Sequence, residues 1–233
     1  MSIAQATIHF TRVVAVAAQK GGVGKTTIVM MLAAILSRWF KVLVVDVDPQ
    51  KSTTKWANRG EEDLPFDFAD SLDPEALGKL KDLHEYDVIL VDTPGHHSDR
   101  DILDAVLDIS DFVIVPTEPT ALSLDSILDT LRDHIIPKGL QYRLLVNKVR
   151  PQRGTDHTES WLDLFDKNEW IPGEVGLPRF RQFIRLSSPV EDAPGEGTVV
   201  TQFYDNRKNH NAISDFAALG TELAAAWATE KRS

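Results

Sequence analysis

Two lysines five positions apart, Lys20 and Lys25, bracket the glycines of the run Gln19-Lys20-Gly21-Gly22-Val23-Gly24-Lys25-Thr26-Thr27. Gly21, Gly22 and Gly24 allow backbone conformations closed to other residues and a close approach to a ligand, so that successive N–H groups converge on one anion. A helix starting near Lys25 adds roughly half a positive charge and unpaired N–H groups at the same point. Lys25 can then reach the β- and γ-phosphates of a nucleotide, while the Thr26 hydroxyl can ligate Mg2+. In the usual phosphate loop, G-x-x-x-x-G-K-[ST], the first glycine would fall at position 19, which here is Gln19. Lys20 at the front of the loop makes this the deviant form.

Carboxylates stand at two further places. Asp46-Val47-Asp48-Pro49-Gln50 closes an apolar run, and ligands of open α/β sheets bind beyond the carboxyl ends of the strands. Asp46 and Asp48 therefore face a bound phosphate or, in the alternative, cap the helix that begins near Ser52. Asp92 follows another apolar run and precedes Thr93-Pro94-Gly95, which fits the position that holds Mg2+ directly or through water. The loop Gly95-His96-His97-Ser98 would lie near the γ-phosphate and could report its presence. Its two histidines lack a third ligand at metal spacing and read as solvated loop residues.

The elements that must hold these groups are legible as periodicities. Residues 13–18, 41–46, 86–91, 111–116 and 142–146 are apolar without polar alternation, as expected of strands buried on both faces of a parallel sheet. Residues 66–69 read as a brief edge strand. Helical periodicity or start signals cover 28–39, 52–59, 73–83, 122–136, 157–168 and 209–229, with Pro137 and Gly139 stopping the fourth. The prediction is an α/β chain with a single doubly wound, mostly parallel sheet flanked by helices. Residues 12–233 would form one domain after a flexible lead-in, 1–11.

The run from Lys20 to Thr27, with Asp46-Val47-Asp48-Pro49-Gln50 and the block from Asp87 to Gly95, resembles the ParA branch of the ParA/MinD ATPases. The likeness follows element order over most of residues 12–228. It implies a P-loop NTPase fold with ATP and Mg2+ as cofactors, and hydrolysis that is slow and stimulated by a partner. Lys20, Lys25 and Asp48 would be catalytic, with Asp48 orienting the attacking water. Thr26 and Asp92 would hold the metal, and Asp46 would sit near its shell. Nucleotide contacts would come from Gly21, Gly22, Val23, Gly24, Lys25, Thr26 and Thr27, with Asn147 beside the adenine and Arg150 close to it. An Asn after a strand is also an ordinary turn residue.

The resemblance further implies an ATP-dependent homodimer in which Lys20 of each subunit reaches the phosphates held by the other. Such a dimer would bind DNA without sequence preference and answer to a ParB-like or other adaptor. It would serve plasmid or chromosome partition, or position another cargo, from a cytoplasmic location that is nucleoid-associated in the ATP state. A biosynthetic enzyme of the dethiobiotin-synthetase type shares the deviant loop, but Asp48-Pro49-Gln50 fits that class poorly. A positioner of a non-DNA cargo is the remaining alternative.

Composition limits these readings. The chain has no cysteine, which excludes disulfides, thiolate zinc sites and iron–sulfur clusters. With a formal net charge of −10, DNA binding would need a local basic patch. Arg179, Arg181 and Arg185, interleaved with Phe180 and Phe183, form the candidate, together with Arg207 and Lys208. If that segment is extended, alternation would put the arginines on one face and the aromatics on the other; alternatively the arginines pair with nearby acids. MinD-like relatives end in a basic amphipathic membrane helix, whereas residues 209–229 carry Asp215 and Glu222 among few basic groups, so no membrane association is expected.

Overall fold

The computed structural model describes residues 11–60, 62–70, 73–95, 99–150, 152 and 155–229. The elements in chain order are β1 (Arg12–Val16), α1 (Lys25–Leu36), β2 (Val42–Asp46), α2 (Ser52–Ala57), β3 (Asp67–Asp70), α3 (Pro74–Gly78), β4 (Val88–Asp92), α4 (Arg100–Ile109), β5 (Phe112–Thr117), α5 (Ala121–Thr130), β6 (Tyr142–Val146), α6 (Thr155–Lys167), α7 (Ser188–Glu196) and α8 (His210–Thr229). The lead-in, apart from Thr11, and the loop histidines His96 and His97 with Ser98 lie outside the described residues. Thr11 is itself anchored, its hydroxyl donating to the carbonyls of Leu83 and Tyr86 at 3.1 and 2.9 Å.

The six strands form one sheet in the order β3-β2-β4-β1-β5-β6. Every pairing is parallel, where the sequence predicted a mostly parallel sheet. Strand residues divide by parity into two apolar layers. Val14, Val16, Val44 and Leu90 face α1 and α8, whereas Val13, Ala15, Val45 and Val91 face the side covered by α3 to α6. That double burial is why these strands show no polar alternation. Helix α1 is apolar around its whole circumference because it lies between the sheet and α8. Gly220 of α8 permits this approach: a Cβ there would stand 2.6 Å from Cγ2 of Ile35.

The helix expected over 122–136 is instead divided. Helix α5 gives way to a π-helical stretch, Leu131–Ile135, and then to a 3-10 turn, Ile136–Lys138, before Gly139 at φ 64°. Register places the chemistry. Asp46 pairs with Asp92, and Val16 with the same Asp92, so the phosphate loop after β1 and both carboxylates converge at one end of three adjacent strands.

Candidate nucleotide-binding site

The loop between β1 and α1 takes left-handed backbone at Gly22 (φ 80°) and Gly24 (φ 92°), which residues with a side chain adopt at a penalty. It borders a cavity of about 450 Å3 that is also lined by Asp48, Trp56, Gly95 and Lys148. A volume of this size suits a small-molecule ligand. The Lys25 ammonium is buried and donates to the Ala18 and Lys20 carbonyls, each at 3.3 Å. Desolvation pulls its pKa down, while Asp92 and Asp48 act the other way. A buried cation bonded, among the described residues, only to backbone carbonyls calls for an anion. Gly95 makes room for it, since a Cβ on residue 95 would meet Nζ of Lys25 at 2.6 Å.

Behind the loop, Oδ2 of Asp92 accepts from the Thr26 hydroxyl at 2.7 Å and from the Thr53 hydroxyl at 2.5 Å. Its Oδ1 is buried without a hydrogen-bond partner among the described residues. Burial raises the Asp92 pKa to about 6 against the restraint of both hydroxyls and of Lys25, and Asp46 adds to the rise. A buried carboxylate oxygen with no donor, beside a threonine hydroxyl, fits the shell of a divalent cation; Thr26 and Asp92 would hold it. Asp46 is differently engaged. Its Oδ2 accepts from the N–H and hydroxyl of Thr54 at 2.8 Å, and its Oδ1 from the N–H of Asp48 at 3.1 Å. These bonds tie Asp46 to the first turn of α2. Asp48 is half-buried at the cavity wall, with Oδ1 accepting from the Gln50 N–H at 2.9 Å.

Residues 14–200 match the CobQ/CobB/MinD/ParA nucleotide binding domain family. The chain belongs to this family. It is 35% identical over 94% of its length to the maintenance of carboxysome distribution protein A of Gloeobacter kilaueensis, covering 96% of that protein. It is also 33% identical over 113 residues to the ParA protein of Rhizobium radiobacter, covering 47% of the chain and 50% of that protein. Among solved structures, an ATP complex of Cyanothece McdA superposes with a TM-score of 0.70 at 17% identity, covering 93% of this chain and 97% of that one. The Mg-ADP complex of septum site-determining protein MinD from Pyrococcus horikoshii gives 0.70 at 19% identity, over 96% and 100% of the two chains.

Within this MinD/ParA domain the front of the loop is docked on α5. Gln19 is buried; its N–H donates to the Thr130 hydroxyl at 3.1 Å, and its amide shares a hydrogen bond with His134 Nε2. His134, on the π-helical stretch, is held in turn by Asp104 at 2.8 Å. A side chain is therefore needed where the ordinary loop has its first glycine. The Lys20 ammonium is turned to the start of α5, donating to Ser123 Oγ at 3.0 Å, and Ser123 accepts from the Thr120 hydroxyl at 2.9 Å.

Asn147 is buried and donates to the Val23 carbonyl at 2.8 Å, so one of its amide hydrogens serves the phosphate loop. Arg150 is exposed and is not part of the cavity wall. Residue type and spacing assigned Ser123 and Lys148 no site role, and Thr53 only that of a possible cap for the helix that follows Asp48. Thr53 alone had a local signal, two hydroxyls directly after Ser52.

The basic segment is not an extended strand. Two isolated bridges, Leu144↔Arg179 and Val149↔Arg185, tie it to the end of the sheet. The expected division of faces fails: Phe180 enters the apolar layer with α1, whereas Phe183 packs in the opposite layer. Their odd separation in sequence and the irregular backbone account for this. Arg179 grips Asp166 at 2.6 and 2.8 Å, and Arg185 grips Asp215 of α8, which is 3% exposed. The hydrogen bond to Asp215 raises the Arg185 pKa, helped by that carboxylate's charge, while burial acts the other way. Arg181, Arg207 and Lys208 are exposed and make no ion pair among the described residues. Among the described residues no helix is long and apolar enough to cross a membrane.

Proposed function

We propose that this chain is an ATP- and Mg2+-dependent nucleotide switch that positions a large cargo. The observation that carries the reading is the pair of lysines around one anion nest: Lys25 buried within it, and Lys20 held outside it by a single neutral hydroxyl. Thr26 and Asp92 would hold Mg2+, Lys25 would neutralise the terminal phosphates, and Asp48 would orient the attacking water. Phosphoryl transfer asks for little beyond such positioning and charge stabilisation. Asn147 and Arg150 would lie toward the base.

In this reading two subunits close face to face around two ATP, and each Lys20 leaves Ser123 to reach the phosphates held opposite. Leaving a neutral hydroxyl for a polyanion is downhill for an ammonium. Moving the pairing equilibrium from 1:99 to 99:1 takes about 5.5 kcal/mol of differential binding, within reach of two lysine–phosphate contacts plus buried surface. Likeness to a carboxysome-distribution protein along nearly the whole chain, against about half the chain for a ParA protein, favours a bulky cargo recognised through an adaptor. DNA without sequence preference would be the track, touched by Arg181, Arg207 and Lys208.

Gel filtration with light scattering tests the switch. Wild type should shift to twice its mass with ATP and Mg2+ but not with ADP, and Lys20→Ala should stay a monomer in both. Identical monomer elution throughout would overturn the proposal. Phosphate release that needs an added small-molecule substrate would point instead to a biosynthetic enzyme.

A further inference from the structure

Consecutive residues at the end of β6 hold consecutive carbonyls of the phosphate loop. Asn147 donates to the Val23 carbonyl at 2.8 Å, and the Lys148 ammonium donates to the Gly22 carbonyl. In a regular strand, residues 147 and 148 would point to opposite faces of the sheet. They do not here, because Lys148 adopts left-handed backbone at φ 54°, rare and strained for a non-glycine residue. Glu118, just after β5, fixes the ammonium from the other side with Oε1 at 3.0 Å.

The consequence lies on the far side of the same peptide planes. A trans peptide points its C=O and N–H in opposite directions. Drawing the Gly22 and Val23 carbonyls to residues 148 and 147 therefore turns the N–H groups of Val23 and Gly24 away from them. Neither N–H has an acceptor among the described residues. The two donors are turned from β6 and uncommitted before any anion arrives. The amide of Asn147 also abuts Gly24 closely enough that residue 24 has no room for a Cβ.

We infer that Asn147 and Lys148 act together as positioning residues that pre-set the Val23 and Gly24 amides for a nucleotide's phosphates. The inference rests on the nucleotide reading above and goes beyond it, because it gives Asn147 a role on the phosphates and brings in Lys148. Preorganised donors bind an anion without a reorganisation penalty, and releasing one clamp removes that advantage.

Calorimetry with two ligands tests it, Mg·ADP and inorganic tripolyphosphate, which has phosphates but no base. Asn147→Ala, which changes no charge, should weaken tripolyphosphate about tenfold for one lost orienting bond, and Mg·ADP by at least that factor. Lys148→Met should do likewise, and Lys148→Arg should restore most of the affinity. A base contact alone predicts a loss for ADP with tripolyphosphate unchanged. That result, or a tripolyphosphate loss confined to Lys148→Met, would overturn the inference.

Cleavage after Lys20 by endoproteinase Lys-C, followed by mass spectrometry in nucleotide-free protein, reads the clamp without any ligand. Asn147→Ala should be cut several-fold faster there than wild type, and an equal rate would count against the clamp. A wild type that binds neither ligand would defeat the nucleotide proposal, and the clamp would then be decided by the cleavage rates alone.

Discussion

Asp92 makes the metal-free protein sensitive to pH in a predictable direction. Burial raises its pKa from 3.8 to about 6, so the folded chain holds this proton more tightly than the unfolded chain does. The associated stability is fully present below the unfolded value and is lost as pH rises through the folded one. A shift of this size corresponds to about 3 kcal/mol, of which roughly 2 should disappear between about pH 4.5 and 7.5. Asp92→Asn removes the titration, and the other ionisable groups cancel when variant and wild type are compared at each pH.

Urea denaturation in EDTA at several pH values provides the measurement. Wild type should lose about 2 kcal/mol relative to Asp92→Asn across that range. With saturating Mg·ADP the slope should flatten, because a cation held there would take the place of the proton at Oδ1, which has no donor among the described residues. A difference between wild type and variant that stays constant with pH in EDTA would refute the assignment of a buried, poorly compensated carboxyl at this position.

Two further substitutions separate site from scaffold. Gly95→Ala puts a methyl group 2.6 Å from Nζ of Lys25 and 3.4 Å from Cα of Gly21, so the lysine must swing aside. ATP affinity by calorimetry should fall about tenfold or more, while stability changes by less than about 1 kcal/mol, since the displaced atom ends a flexible chain. Arg185→Glu leaves the buried Asp215 facing a second acid and should reduce stability by about 2 to 3 kcal/mol in urea, the partial exposure of Arg185 keeping it below the range of fully buried pairs. Arg181→Glu, on an exposed residue, should stay within about 0.5 kcal/mol of wild type. DNA retention is therefore cleanly tested with Arg181, Arg207 and Lys208, whereas an Arg185 variant would confound binding with unfolding.

The outcome for each group follows from how local its determinants are. Strands buried on both faces, a glycine turn, and a helix opening at Lys25 are written in residue type and spacing, because backbone freedom and burial period act within a few residues. That was enough to read a parallel sheet and a phosphate site from the chain alone. It could set Asp92 apart as the metal position but left Asp46 open between a phosphate-facing and a capping role, since both end apolar runs and lie side by side in the sheet. Only packing decided that Thr54 would occupy Asp46 and that an oxygen of Asp92 would be left without a donor. It likewise decided that Lys20 meets Ser123, 103 positions away, and that Lys148 folds back on Gly22, 126 positions away. Arg179 and Arg185, basic in any reading of the sequence, became fastenings to Asp166 and Asp215. A side chain's type states what it can bond; which of many suitable partners it meets is settled by the sheet order and helix packing that bring distant segments together.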